Sequence, residues 1–287
     1  MSEPLEHRTV SANGIDMHIV LAGEGFPVVL LPGIPQSWYE WRKVIPALSS
    51  RFRVIAPDLR GLGDSAKPPD GYDKRTLARD VRELLRALGV ERAVIVGHDW
   101  GGGVAQRFVL DYPEAAERLV CIDIPYFAAE DTGFRIDGAQ MLHSWYIFFF
   151  QHRDLPEQVA AAAPEALLRW FFAHGGAGGR NPLSEEEMAE YLRCFTQPGA
   201  ATAVFSYYRT MVVDAPHWAE DRGRRLSLPT LWVHGREDPY VPVSVTEPLP
   251  RHFENLQVRI IDGCGHWVPE EKPEETATLL LEFLADL

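Results

Sequence analysis

Gly97-His98-Asp99-Trp100-Gly101-Gly102 follows directly on the apolar run Ala93-Val94-Ile95-Val96 and leads into residues 103–110, which have helical spacing. A chain that passes from strand to helix in so few residues needs small residues on both sides of the bend, and Gly97 and Gly101 supply them. The turn holds its middle residue at the C-terminal edge of a sheet, where serine stands in the better-known form of this elbow. Here that residue is Asp99, and the N-terminus of the next helix favours its ionised form. A carboxylate so placed can act as a nucleophile. The plainer alternative is that Asp99 only caps the helix, a role for which aspartate is well suited.

The rest of the chain repeats the strand-to-helix rhythm. Residues 16–21, 28–31, 53–56 and 119–122 read as short apolar strands, and residues 38–48 and 75–88 as helices, with Gly89 closing the second. Apolar runs without alternation imply strands covered on both faces, hence a largely parallel sheet with crossover helices. After Pro125 the rhythm stops. Up to about residue 222 the chain reads as helices and loops, including Gly175-Gly176-Ala177-Gly178-Gly179. It resumes at residues 230–233 and 258–261, and a last amphipathic helix starts at Pro273. The expected organisation is an α/β core over 1–124 and 223–287, interrupted by a helical cap over 125–222.

Composition excludes some functions. With 28 Lys plus Arg against 41 Asp plus Glu, the formal charge is −13, which repels phosphate backbones and anionic lipid. Neither nucleic acid nor a membrane is therefore expected as a partner. The three cysteines, Cys121, Cys194 and Cys264, are too few and too widely spaced for a disulfide framework or a zinc site. The first residues lack a basic-then-apolar signal pattern, so a reducing compartment such as the cytoplasm is expected.

Two later segments add to Asp99. His234-Gly235-Arg236-Glu237-Asp238 and Gly263-Cys264-Gly265-His266-Trp267 each follow a late strand. Nucleophile, acid, histidine is the chain order of a triad on this kind of sheet. Asp238 would orient His266, and His266 would activate a water. Either residue alone is ordinary; the three in order, each at a strand end, form a pattern.

These segments resemble the epoxide hydrolases of the α/β-hydrolase superfamily over nearly the whole chain. Pro32-Gly33-Ile34-Pro35-Gln36-Ser37-Trp38-Tyr39-Glu40-Trp41 is similar to the family's oxyanion loop, Gly97 to Gly102 to its nucleophile segment, and Asp58-Leu59-Arg60-Gly61-Leu62-Gly63-Asp64-Ser65 to the superfamily's loop after the fourth strand. The resemblance implies an α/β-hydrolase fold: a mostly parallel eight-stranded sheet flanked by helices, with an inserted helical cap. It also implies two cap tyrosines that hydrogen-bond the epoxide oxygen. These map to Tyr146, in Tyr146-Ile147-Phe148-Phe149-Phe150-Gln151, and Tyr208, in Tyr207-Tyr208-Arg209, with Tyr207 open as a one-residue slip.

The implied reaction runs through an ester on Asp99, hydrolysed by water that His266 activates, with the backbone N–H groups of Ile34 and Trp100 as the oxyanion hole. The product is a vicinal diol. The implied substrate is a small apolar epoxide, and no metal or cofactor is required. Trp38, Trp145, Phe149 and Trp267 are expected to line the substrate pocket, with Phe148, Trp170, Phe171 and Phe172 adding apolar character. One feature departs from the family: Pro32 replaces a histidine. Asp123, at the end of another strand where some relatives place the triad acid, is an alternative to Asp238. Haloalkane or haloacetate dehalogenation is the nearest competing chemistry, although Trp100 and Gly103 stand where its carboxylate-binding arginines would be. A non-catalytic ligand-binding protein is a third reading. The oligomeric state is left open, a homodimer included.

Overall fold

The structure, a computed structural model, describes residues 5–287. In chain order the strands are β1 (Glu6–Ala12), β2 (Ile15–Ala22), β3 (Phe26–Leu31), β4 (Phe52–Pro57), β5 (Ala93–His98), β6 (Ala116–Ile122), β7 (Thr230–Gly235) and β8 (Leu256–Ile261). They form one sheet in the order β1-β2-β4-β3-β5-β6-β7-β8. β1 with β2 and β2 with β4 pair antiparallel; every later pair is parallel. The chain has an α/β-hydrolase fold.

The unbroken apolar runs are explained by burial on both faces. Along β5, Ala93 and Ile95 enter one hydrophobic cluster, while Val94 and Val96 enter the other on the opposite face. β1 escapes the sequence reading because it is an edge strand, with Glu6 to Thr9 exposed, and carries no apolar run. Residues 38–48, expected as one helix, are instead a 3-10 turn at Trp38–Trp41 and a single α-turn, α1 (Ile45–Leu48). Pro46 cannot donate a backbone hydrogen bond, so the earlier turn cannot continue through it.

Helix α2 (Lys74–Ala87) turns Leu77, Val81, Leu84 and Leu85 onto the sheet, and the Asp73 side chain caps it by accepting from the Thr76 N–H at 3.0 Å. Helix α3 (Asp99–Asp111) starts at the elbow. Between β6 and β7 lie α4 (Gln140–Phe149), α5 (Leu155–Ala162), α6 (Pro164–Gly175), α7 (Glu185–Phe195), α8 (Ala200–Arg209) and α9 (Met211–Ala219). No strand interrupts this helical insertion among the described residues. The short α10 (Val268–Glu271) and the closing α11 (Pro273–Phe283) follow β8. No helix is long and apolar enough to cross a membrane among the described residues.

Candidate active site

The elbow forces Asp99 into an unusual backbone state, with φ at +48°. That conformation costs a non-glycine residue about 1–3 kcal/mol, held only because the surroundings fix it. The glycines allow the surroundings to close in. A Cβ on Gly97 would lie 2.2 Å from the Gly101 carbonyl oxygen, and one on Gly101 would lie 2.4 Å from that of Leu31. The result is a buried carboxylate at the sheet's C-terminal edge.

Its two oxygens face different partners. Oδ1 accepts the Ile34 N–H at 2.9 Å, and Oδ2 lies 3.5 Å from His266 Nε2. Burial pushes the Asp99 carboxyl up, but His266, the His98 ring and the Ile34 N–H outweigh it and hold it below its ordinary value. The other nitrogen of His266, Nδ1, lies 2.8 Å from Asp238 Oδ2. Asp238 is fixed in turn, its Oδ1 accepting the N–H groups of Tyr240 and Val241 at 2.8 and 3.0 Å. Burial works against an imidazolium here, yet the carboxylates of Asp238 and Asp99 on either side raise His266 well above its ordinary value.

Asp123, the alternative acid, sits behind this group. Its Oδ1 accepts the Gly235 N–H at 2.8 Å, and it makes no hydrogen bond to His266. Burial first, then the charge of Asp238, pushes its carboxyl well up, which favours the neutral form. Of the two acids, Asp238 is the one bonded to the imidazole.

Two residues outside the expected set support the floor. His98 Nε2 lies 2.8 Å from the His266 carbonyl oxygen, and its Nδ1 lies 3.3 Å from Glu40 Oε2. Glu40 also accepts the Gly33 N–H at 3.1 Å, so in this chain a carboxyl group braces the loop in which Pro32 stands. The Ile34-Pro35 bond of that loop is cis. His98, Asp123 and His266 offer atoms close enough to share a cation, but each is already engaged as described.

Above Asp99 lies a cavity with two lobes. The inner one, of about 20 Å³, runs between Phe150, Phe171, Phe205 and Trp267; the outer one, of about 80 Å³, runs between Trp100, Phe134, Ile147 and Met211. Asp99, Tyr146, Tyr208 and Tyr240 line both lobes. No lysine or arginine lines either one. The rings of Tyr146 and Tyr208 meet edge to face at 5.6 Å. Burial raises both phenols well above their ordinary value, and the charge of Asp99 adds to it, so both keep their protons. Tyr240, outside the residues expected at the site, packs its ring 5.2 Å from that of His266 and donates its hydroxyl to the Phe171 carbonyl at 2.9 Å.

Several pocket expectations need correction. Trp267 lines the inner lobe, but Trp38, Trp145 and Phe149 line neither lobe. Trp38 packs in the second hydrophobic cluster, on the other face of the sheet, and donates its backbone N–H to Asp58 Oδ1 at 2.8 Å. Trp145 and Phe149 pack at a tilt against each other, Trp145 also meeting Trp170 edge to face and Phe149 packing on Phe150. Helical geometry explains this: Tyr146 and Phe150 are four apart and face inward, and their predecessors lie about 100° round the helix. Phe148 is exposed, Trp170 covers His174, and Phe172 packs on Tyr191 and Trp267, while Phe171 does line the inner lobe. Tyr207 points away and donates to the Arg60 carbonyl at 2.8 Å, so Tyr208 is the cavity residue of the pair.

A strand-end carboxylate bonded through histidine to a second acid, under an inserted helical layer, defines a class. Residues 27–273 match the alpha/beta hydrolase fold family, and the chain belongs to that family. Within it, the relatives fall in the branch of epoxide hydrolases and dehalogenases, and the chain is a hydrolase of that branch. The soluble epoxide hydrolase of Corynebacterium sp. (strain C12) is 39% identical, covering 100% of both chains. The fluoroacetate dehalogenase of Burkholderia sp is 33% identical, over 100% of this chain and 96% of its own. The solved structure of the epoxide hydrolase CorEH without ligand is 38% identical with a TM-score of 0.87, covering 98% of this chain and 99% of that one.

Proposed function

We propose that this hydrolase opens epoxides to vicinal diols through a covalent ester on Asp99. One observation carries the reading: the buried Asp99 carboxyl shares an apolar cavity with the phenols of Tyr146 and Tyr208 and with no lysine or arginine. Asp99 Oδ2 attacks an epoxide carbon, the carbon–oxygen bond breaks, and the electron pair leaves on oxygen. Tyr146 and Tyr208 stabilise that alkoxide and one of them protonates it. The inserted helices act as the cap that brings these phenols over the nucleophile.

Forming the ester removes the Asp99 charge that helped hold a proton on His266. His266 passes that proton to the phenolate, restoring the phenol, and the neutral imidazole, held by Asp238, takes a proton from water as that water attacks the ester carbonyl. Oδ1, which accepts the Ile34 N–H, carries the transient negative charge, with the Trp100 N–H assigned as the second donor. Collapse breaks the ester, the new carboxyl proton of Asp99 goes to the departing alkoxide to complete the diol, and Asp99 is again a carboxylate with His266 protonated as it began. The net change is epoxide plus water to diol.

The fluoroacetate dehalogenase relative makes dehalogenation of a haloacid the second reading. A carboxylate substrate would need a cation in the cavity, and neither lobe has a lysine or arginine. The test is a single turnover of styrene oxide in oxygen-18 water, followed by mass analysis of the peptide bearing Asp99. Label in the Asp99 carboxyl is the expected result. Label confined to the diol would overturn the ester route, and fluoride release from fluoroacetate without epoxide turnover would favour the second reading.

A further inference from the structure

Lys74, the first residue of α2, is 1% exposed, its side-chain nitrogen enclosed between Trp100 of the core and Tyr207, Thr210 and Asp214 of the inserted helices. Burying an ammonium is costly unless its surroundings repay it. Burial holds it below the ordinary lysine value, and the facing Asp214 pulls the other way. The Nζ atom donates to the Tyr207 carbonyl at 2.6 Å and the Thr210 hydroxyl at 3.2 Å, and pairs with Asp214 Oδ2 at 3.1 Å. Its backbone N–H is bound as well, to Asp214 Oδ1 at 2.8 Å. The same ammonium stands 4.0 Å from the centre of the Trp100 indole, a cation over a ring face.

These partners are neighbours of the reacting groups. Trp100 is the residue immediately after the nucleophile, and Tyr207 the residue immediately before the phenol of Tyr208. The Tyr207 carbonyl belongs to the last turn of α8, where a cation also complements the helix dipole. The Trp100 ring in turn meets the Tyr208 ring edge to face at 5.4 Å. One ammonium therefore touches the core element that carries Asp99 and the inserted helix that carries Tyr208.

We infer that Lys74 is a positioning residue which sets the separation of Asp99 and Tyr208 across the boundary between the core and the inserted helices. The inference rests on the reading of Asp99 and Tyr208 given above. Lys74 touches no substrate; it acts by holding Trp100 and the end of α8 in one register. Its removal lets the phenol drift relative to the nucleophile, which matters for ring opening. Ester hydrolysis depends on His266, Asp238, the Ile34 loop and the Trp100 N–H; Lys74 meets only the indole ring of Trp100, whose backbone is held by the tight packing of Gly97 and Gly101 in the elbow.

The test is the paired variant Lys74→Met/Asp214→Asn, which removes both charges and keeps a side-chain carbonyl for the Lys74 N–H. Rapid-quench mass measurement of the alkylated enzyme with styrene oxide separates ring opening from ester hydrolysis. Ring opening is expected to fall about ten- to a hundredfold, the scale of a small misplacement, with ester hydrolysis little changed. In a Tyr208→Phe background the same pair should add almost nothing, because the group being positioned is gone. Thr210→Val, which removes one oxygen from around the ammonium and leaves the charge pair, should give the same pattern at smaller size and serves if the paired variant does not fold. Equal losses in both steps, no loss, or a loss as large without the Tyr208 hydroxyl as with it would overturn the inference. A Tyr208→Phe enzyme that opens the ring at the wild-type rate would instead sink the proposed function.

Discussion

The floor and the roof of the cavity are built on different principles. On the floor, Asp99, Asp238 and His266 sit at the ends of strands or just beyond them, and each is held by backbone N–H groups or by another buried polar side chain. On the roof, Tyr146 and Tyr208 project from helices α4 and α8 and are held by the packing of other aromatic rings. A sheet edge fixes its side chains through backbone geometry; a helix face fixes them through rotation and contact. The floor should therefore fail abruptly when a group is changed, and the roof by degrees.

The largest expected effect is on the floor. Asp99→Asn removes the carboxylate proposed to attack and should lower turnover by about 10⁴-fold or more, as loss of a nucleophile does in other triads. Measured diol formation within a factor of ten of wild type would break the comparison at its base.

Asp238→Asn comes next. It leaves the geometry nearly intact and removes the charge that holds the imidazolium, so ester hydrolysis should fall by about 10³–10⁴-fold while ring opening proceeds and the ester accumulates. The variant also tests the His266 shift. A histidine raised above its ordinary value of 6.5 contributes stability that is complete below about pH 6.5 and is lost as pH climbs through the folded value. Thermal unfolding should show the largest gap between wild type and variant from about pH 5 to 6.5, narrowing at higher pH. A gap that widens with pH would show that Asp238 does not hold that proton.

The roof effects are smaller. Tyr146→Phe or Tyr208→Phe removes one of the two proposed donors to the leaving oxygen, and each should slow ring opening by about 10²-fold, with a larger loss when both are changed. Ester hydrolysis should be spared, the reverse of Asp238→Asn. If either single variant slows both steps alike, the division of labour between roof and floor is wrong.

How much of this could be read from the sequence divides along the same line. The floor was legible because each of its residues stands next to a glycine or a strand end, and those signals are local: Gly97 and Gly101 around Asp99, the Asp238 and His266 loops after β7 and β8. The parallel sheet was legible from runs such as Val94-Ile95-Val96, whereas the polar edge strand β1 was not. The roof was legible only through resemblance, and its details slipped by one position. Trp145 and Phe149 are as apolar as Tyr146 and Phe150, and nothing local tells which pair a helix turns inward. Tyr240 and Lys74 were invisible because their roles arise from contacts between segments far apart in the chain, which no spacing records.

That one-position slip gives the smallest and sharpest test. Phe150 is 3% exposed and packs against Phe205 and Tyr208, while Trp145 is 38% exposed and covers only the outer face of α4. Phe150→Ala should cost about 3–5 kcal/mol of stability through the cavity it leaves, and it should also weaken binding in the inner lobe it lines. Trp145→Ala loses only partial burial against Trp170 and Phe149, so it should cost about 1 kcal/mol or less and leave KM and kcat unchanged. Denaturant unfolding and steady-state kinetics on the two variants decide the point. If Trp145→Ala changes KM as strongly as Phe150→Ala does, then α4 presents a different stripe to the substrate. Tyr146, locked to Phe150 by the helix repeat, would then be turned away from Asp99 as well.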